Sequence, residues 1–325
     1  MTHLKLWIRD VVSILFCLGR KLLGVPEERG LRILVYHTIA TIAPRQDRWR
    51  LSVPPLLLET HLRWLRRRGY TFVSLGEALE MLQGKRPMPT KAVLITFDDG
   101  FHDVLTAAYP LLRREQVPAA IFVVPCYLAA SEPFPWLDGG ALFNRPLTWD
   151  ELYTLASDSV ISVGSHSWSH RRLSELTIQE QYREIAKSKL SLEARLGRAV
   201  LWFAYPYGHQ GSFSEETIEC LKEAGFEAAC MNVMGVNRVG DSPWRIKRTR
   251  VGWEDRLWRF GLKMAGAYDW VDRWRLPTRM MQRPRRQVLP VEGAIRGSET
   301  FLQGSAEKPS VHPSRASGRT EEWLK

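Results

Sequence analysis

Cysteine is scarce in this 325-residue chain: Cys17, Cys126, Cys220 and Cys230 are scattered, with no C-x-x-C spacing. That excludes a disulfide framework and a zinc knuckle. Cys126 and Cys220 sit in apolar surroundings and read as core residues. No apolar run approaches the ~20 residues of a transmembrane helix. Residues 11–18 are apolar, but a signal peptide calls for small residues and a cleavage site next, and Arg20-Lys21 follows instead. No glycine-rich phosphate loop follows the first predicted strand, and no RNA- or DNA-binding signature is present. Acidic charge is in the minority, 35 Asp and Glu against 46 Lys and Arg, for a net charge of +11 and a pI of about 9.7. That balance suits an anionic partner; nucleic acid is not expected. A basic tail that inflates the charge is the alternative account.

Hydrophobic residues make up 45% of the chain, enough for a sizeable core. Residues 1–30 read as a first unit. Leu4, Ile8, Val11, Val12, Leu15 and Leu18 recur at helical spacing among Lys5, Arg9 and Arg20. An amphipathic helix lying on a membrane face is the preferred reading, and a helix packed on the protein body the alternative. The folded domain is expected over 31–276. Strands are predicted at 31–37, 69–75, 92–97, 119–124, 161–164, 200–204 and 228–231. Helices are predicted at 56–68, 76–82, 104–115, 149–157, 177–196 and 214–224. Pro110 predicts a kink or break in its helix. Thr148 is a candidate N-cap, and Thr177 with Glu180 a capping box. Residues 253–276 look helical, with tryptophans among basic residues, a pattern that suits a membrane interface or a terminal helix packed on the domain. From 277 to 325 the chain is polar and aperiodic and reads as a basic, disordered tail.

Repeated strand–helix alternation predicts an α/β fold with a mostly parallel sheet. Polar residues stand directly after strands: His37, Asp98-Asp99, His166 and Tyr205-Pro206. In a closed barrel such strand ends gather on one rim. Asp98 and Asp99 bring two negative charges to the end of a buried strand, which is costly without a cation or donor nearby. His166 and His170 supply imidazoles that suit a divalent cation, and one Asp adds a third ligand. A metal so held lowers the pKa of a bound water. The second Asp is then placed to take the water's proton. Alone, an H-x-x-x-H is commonly incidental and an Asp-Asp-Gly commonly a turn. Their joint occurrence at strand ends makes the metal site.

These residues carry a resemblance to a known family. Thr96-Phe97-Asp98-Asp99-Gly100, His166-Ser167-Trp168-Ser169-His170 and, in part, Phe203-Ala204-Tyr205-Pro206-Tyr207-Gly208 resemble the first three motifs of the polysaccharide deacetylases, the NodB-homology group or carbohydrate esterase family 4. The resemblance covers roughly residues 31–251. It implies a distorted (β/α) TIM-like barrel and metal-dependent removal of N-acetyl, or O-acetyl, groups from a polysaccharide or lipid-linked sugar. It implies Asp98 as base, and Asp99, His166 and His170 as ligands of one divalent ion, zinc being expected. It implies that Tyr205, Pro206 and Tyr207 line the substrate pocket, with the Tyr207 N–H aiding oxyanion stabilisation.

Two departures stand out. The third motif usually begins with an Arg that orients the catalytic Asp; Ala204 holds that place. The late His that acts as general acid has no match, since His312 is the only His after His209. His37, on the same rim, is the candidate replacement, and His209 a second. Arg245, Arg248 or Arg250 are candidates for the missing positive charge. Alternatives to the deacetylase reading are a non-catalytic metal- or glycan-binding protein on this fold and a deformylase of a lipid-linked amino sugar. The expected place is peripheral to a bacterial inner membrane or cytoplasmic, with export left open, and a cell-envelope precursor or exopolysaccharide is the expected kind of substrate.

Overall fold

A computed structural model describes residues 3–24, 29–47, 49–128, 134–137 and 145–273. The predicted tail, 277–325, lies outside the described residues. The described elements, in order, are α1 (His3–Leu22), β1 (Gly30–Tyr36), α2 (Pro55–Arg67), β2 (Thr71–Phe72), α3 (Leu75–Leu82), β3 (Lys91–Phe97), α4 (Tyr109–Arg114), β4 (Ala119–Val123), α5 (Trp149–Ala156), β5 (Ile161–Ser165), α6 (Ile178–Leu196), β6 (Trp202–Ala204), α7 (Glu215–Glu223), β7 (Ala228–Cys230), β8 (Thr249–Arg250), α8 (Leu257–Met264) and α9 (Trp270–Arg273). No helix among the described residues is long and apolar enough to cross a membrane.

All strand pairs are parallel, in the order β7-β6-β5-β4-β3-β1-β8, with β2 also paired to β3. β1 and β3 to β7 are buried on both faces, so alternate side chains feed two cores. Leu31, Ile33, Leu94, Phe122, Trp202 and Ala228 pack in an inner cluster, which Leu75, Leu79 and Leu82 of α3 join. Leu34, Tyr36, Ile95, Phe97, Ile121 and Phe203 face a larger outer cluster with Leu58, Leu152, Ile185 and Leu221 of the surrounding helices. Residues 246–251 bring the two edges of the sheet together. Ile246 donates to the Ala229 carbonyl (3.1 Å) and accepts from Met231 (2.7 Å), while Val251 donates to the Val35 carbonyl (3.0 Å). This is the distorted, curled α/β barrel expected from the motifs.

Local chemistry explains the boundaries. Ser74, Thr148, Thr177 and Ser214 each cap the helix that follows through a reciprocal capping box. Before Pro110 the chain winds as a π turn over Val104–Ala108, and α4 starts afresh at Tyr109, because proline fits only a first helical turn. The helix predicted over 253–276 is instead two pieces, α8 and α9, with 274–276 outside the described residues. The break falls at Gly266, whose φ of +76° puts it in the left-handed region, where a Cβ would also press on Asp269 and Arg32. Of the strand predicted over 69–75, only Thr71–Phe72 pairs, because the chain turns at Ser74 to start α3.

Candidate active site

Asp98 and Asp99 follow β3, and His37 follows β1. The two strands run in register, Tyr36 opposite Phe97, so His37 and Asp98 leave the sheet side by side. Gly100, at φ +82°, turns the chain where a Cβ would meet Val123 at 3.0 Å. His166 and His170 come from the loop after β5. That loop is clamped by α6: Ser169 donates through its N–H and hydroxyl to the Glu184 carboxylate (2.8 and 2.5 Å), and Trp168 donates to the Glu184 carbonyl. Ser167 accepts from the His170 N–H (3.0 Å). Asp99, Ser167, His170 and Tyr207 all have φ between +60° and +71°, and they are four of the six described non-glycine residues with positive φ. Each such residue costs of order 1–3 kcal/mol and persists only where its surroundings over-determine it.

The ligand-capable atoms of Asp99, His166 and His170 lie within 4.8 Å of one another, and all three residues are buried. Asp99 Oδ1 stands 3.6 Å from His166 Nε2 and 3.5 Å from His170 Nε2. His166 Nδ1–H donates to the Ala204 carbonyl (2.7 Å), which fixes the tautomer and leaves the Nε2 lone pair turned to Asp99. Burial lowers the pKa of both imidazoles, and for His170 the neighbouring His166 adds to the effect, so both stay neutral. Burial, reinforced by the Asp98 charge, pushes the Asp99 carboxyl well above its usual range. A buried acid raised in this way, faced by two neutral imidazole nitrogens, is a donor set that a divalent cation satisfies. The residues therefore fit a metal ion.

Asp98 lives differently. Arg248, fully buried, donates through Nη1 to Asp98 Oδ1 (2.6 Å) and through Nη2 to Oδ2 (2.7 Å). The same guanidinium donates to the Met231 carbonyl (3.1 Å) and to Asn232 Oδ1 (2.8 Å). Burial pushes the Asp98 carboxyl up, but the charge and hydrogen bonds of Arg248, the largest opposing cause, hold it below its usual range. Of the three arginines considered from sequence, Arg245 instead pairs with Glu215 at the surface, and Arg250 is exposed. Arg248 is therefore the arginine of the three that stands beside Asp98.

Burial lowers the His37 pKa to about 3 against the opposing pull of Asp98, and its Nδ1 has no hydrogen-bond partner among the described residues. His209 Nε2 lies 2.6 Å from Arg172 Nη1. Tyr207 reaches the site: its ring lies 5.0 Å from that of His170, under the Arg172 guanidinium. Pro206 is buried beside it in sequence. Tyr205 does not line the site. It stacks on Phe213 (3.8 Å, 3°) and donates to the Trp244 carbonyl, because strand alternation turns it to the outer core. Trp136, which no sequence pattern singled out, stacks on His170 at 4.1 Å and 19°. It comes from the connection between β4 and α5, where neither periodicity nor motif marks it.

The chain is similar to known proteins. A family model described as polysaccharide deacetylase matches residues 85–229. A Bacillus subtilis (strain 168) protein, provisionally named a polysaccharide deacetylase, is 29% identical over 68% of this chain and 71% of its own length. The poly-beta-1,6-N-acetyl-D-glucosamine N-deacetylase of Escherichia coli (strain K12) is 31% identical over 43% of this chain, but the match spans only 21% of that protein. The solved structure of IcaB from Ammonifex degensii superposes with a TM-score of 0.63 at 26% identity, covering 74% of this chain and 98% of that one.

Proposed function

We propose that this chain, whose residues 85–229 match the family model described as polysaccharide deacetylase, is a metal-dependent hydrolase removing an acetyl group from an N-acetylated polysaccharide or lipid-linked sugar. The observation that carries this reading is the convergence of Asp99, His166 and His170 beside an Asp98 gripped by Arg248. Asp99, His166 and His170 would hold the ion, with zinc expected. Bound there, it would supply Lewis acidity, in the form of a water of lowered pKa and a polarised acyl carbonyl.

Asp98 is the general base. Arg248 keeps it ionised at neutral pH despite burial, and its fork fixes the carboxylate plane. Arg248 also decides which acid of the pair carries charge in the metal-free protein: Asp98 is ionised, and Asp99 is raised. His37 is the donor to the departing nitrogen. Burial leaves it neutral at rest; negative charge developing on the substrate, added to that of Asp98, raises its proton affinity, so that the proton Asp98 takes from the water passes through His37 to the departing nitrogen. Tyr207 and Trp136 flank His170 and offer apolar walls to a small acyl group or sugar ring.

Acetate release from N-acetylglucosamine oligomers tests the proposal, with parallel formyl- and O-acetyl-sugar and lipid-linked substrates and metal analysis of the same preparation. Release that stops with chelator and returns with zinc is expected. Metal-loaded protein that frees no acyl group from the whole panel would leave a binding protein on this fold as the better account. Retention of both Asp98 and its buried arginine favours the enzyme, since metal binding alone needs only Asp99.

A further inference from the structure

Helix α1 is attached to the domain the wrong way round for an ordinary surface helix. Such a helix buries its apolar stripe and leaves its polar face to water. Here the buried side chains are polar. Asp10 accepts from Arg259 of α8 and from the Tyr268 hydroxyl (2.8 Å), and Ser13 accepts from Trp270 Nε1 of α9 (3.2 Å). Arg9 lies over the Tyr268 ring. Asp10 is 7% exposed and Ser13 fully buried. Trp7, Ile8, Leu15, Phe16, Leu18 and Leu22 point outward, from 43% exposed at Phe16 to 87% at Leu22. At helical pitch they form one continuous arc around roughly half the helix. Nine of the eighteen large exposed apolar side chains among the described residues fall within 7–23. A contiguous apolar surface of this kind marks an interaction site.

The rim of the arc is basic and aromatic. The Arg20 guanidinium sits over Phe16. Half-exposed Trp258 of α8 lies against Arg259, the residue that anchors Asp10. Exposed Leu257 and Arg256 adjoin it in sequence. An apolar arc with tryptophans and arginines at its border, on a chain of net charge +11, is the composition that an anionic bilayer surface selects. A second copy of so basic a chain would bring like charge to like charge. We propose that α1 docks the protein on an anionic membrane surface, its polar face bolted to α8 and α9 and its apolar face in the lipid interface.

Flotation of the full-length chain with phosphatidylcholine vesicles, with and without phosphatidylglycerol, tests this independently of catalysis. Binding to the anionic vesicles is expected, weaker without phosphatidylglycerol and at high salt. The outward-face variants Leu15→Glu/Leu18→Glu and Leu15→Gln/Leu18→Gln should each weaken it about tenfold or more. Both should keep the parent's thermal midpoint, because the altered side chains face away from the domain. Several results would overturn the proposal: no vesicle binding by the parent chain, equal binding by parent and variants, or binding lost on removal of 274–325 but kept in the variants. A concentration-dependent doubling of mass that the variants abolish would assign the face to a second copy instead.

Discussion

The ends of β3 and β5 supply the side of the site that could hold a metal, here called the ligand side, whereas β1 and the residues before β8 supply the side that holds Asp98. The first set, Asp98, Asp99, His166 and His170, lies within the 85–229 segment that the family model matches; His37 and Arg248 lie outside it. The ligand side is made by short loops directly after strands, held by local contacts such as Ser167 to His170 and Glu184 to Ser169. The other side is made by closing the barrel, which brings Arg248 to an acid 150 residues away. A ligand loop can be recognised from its own sequence. A charge delivered by closure can come from another part of the chain, and here Arg248 meets Asp98 although the third motif carries Ala204.

If the two sides divide the work as described, variants should separate them. The largest effect is expected on the ligand side. His166→Ala or Asp99→Asn should lose metal and cut acetate release on the order of 10³-fold or more, corresponding to several kcal/mol of Lewis-acid stabilisation. Full metal content in either variant would contradict the assignment. Asp98→Asn should keep the metal and lose about 10²–10⁴-fold in kcat; loss of metal together with activity would place Asp98 among the ligands. His37→Gln should lower kcat about 10²-fold without lowering the thermal midpoint. Undiminished turnover would remove it as the proton donor.

The smallest effect is on stability. His37 is lowered to about 3 from 6.5, and His61, stacked on Phe260, to about 4, in both cases chiefly by burial. Each binds a proton more readily in the unfolded chain. The stability they contribute is therefore complete above about pH 6.5 and is lost as pH falls toward 4 and below. Urea midpoints of metal-free protein should fall over that range, and less steeply in His37→Gln. An identical slope in parent and variant would show that His37 is not held neutral by the fold.

Much of this was legible in the sequence because strand ends announce themselves. Apolar runs stopping at Asp98-Asp99 and at His166 gave both the parallel sheet and the ligand side. Arg248 was not singled out. Arg245, Arg248 and Arg250 lie within six residues, β8 is two residues long with no apolar run, and only closure against β7 and β1 decides which guanidinium enters the barrel. Tyr205 was misplaced by parity: Trp202 and Ala204 face in, so Phe203 and Tyr205 face out. Trp136 left no trace, since a side chain that stacks across a loop follows no period. The polar anchoring of α1 was hidden for the same reason, because Asp10 and Ser13 find their partners in α8, just before α9 and in α9 itself, some 250 residues away.

The central claim is that Arg248 tunes the base and takes no part in holding the metal. The direct test is the pH dependence of kcat/KM for acetate release by Arg248→Lys, with metal content measured on the same sample. Lysine keeps the charge but loses the two-pronged grip. The account predicts unchanged metal content, a kcat lower by about 10–100-fold, and an acidic limb moved to higher pH as the Asp98 carboxyl rises from its depressed value. An acidic limb that stays in place while activity falls, or metal that leaves with the arginine, would contradict it.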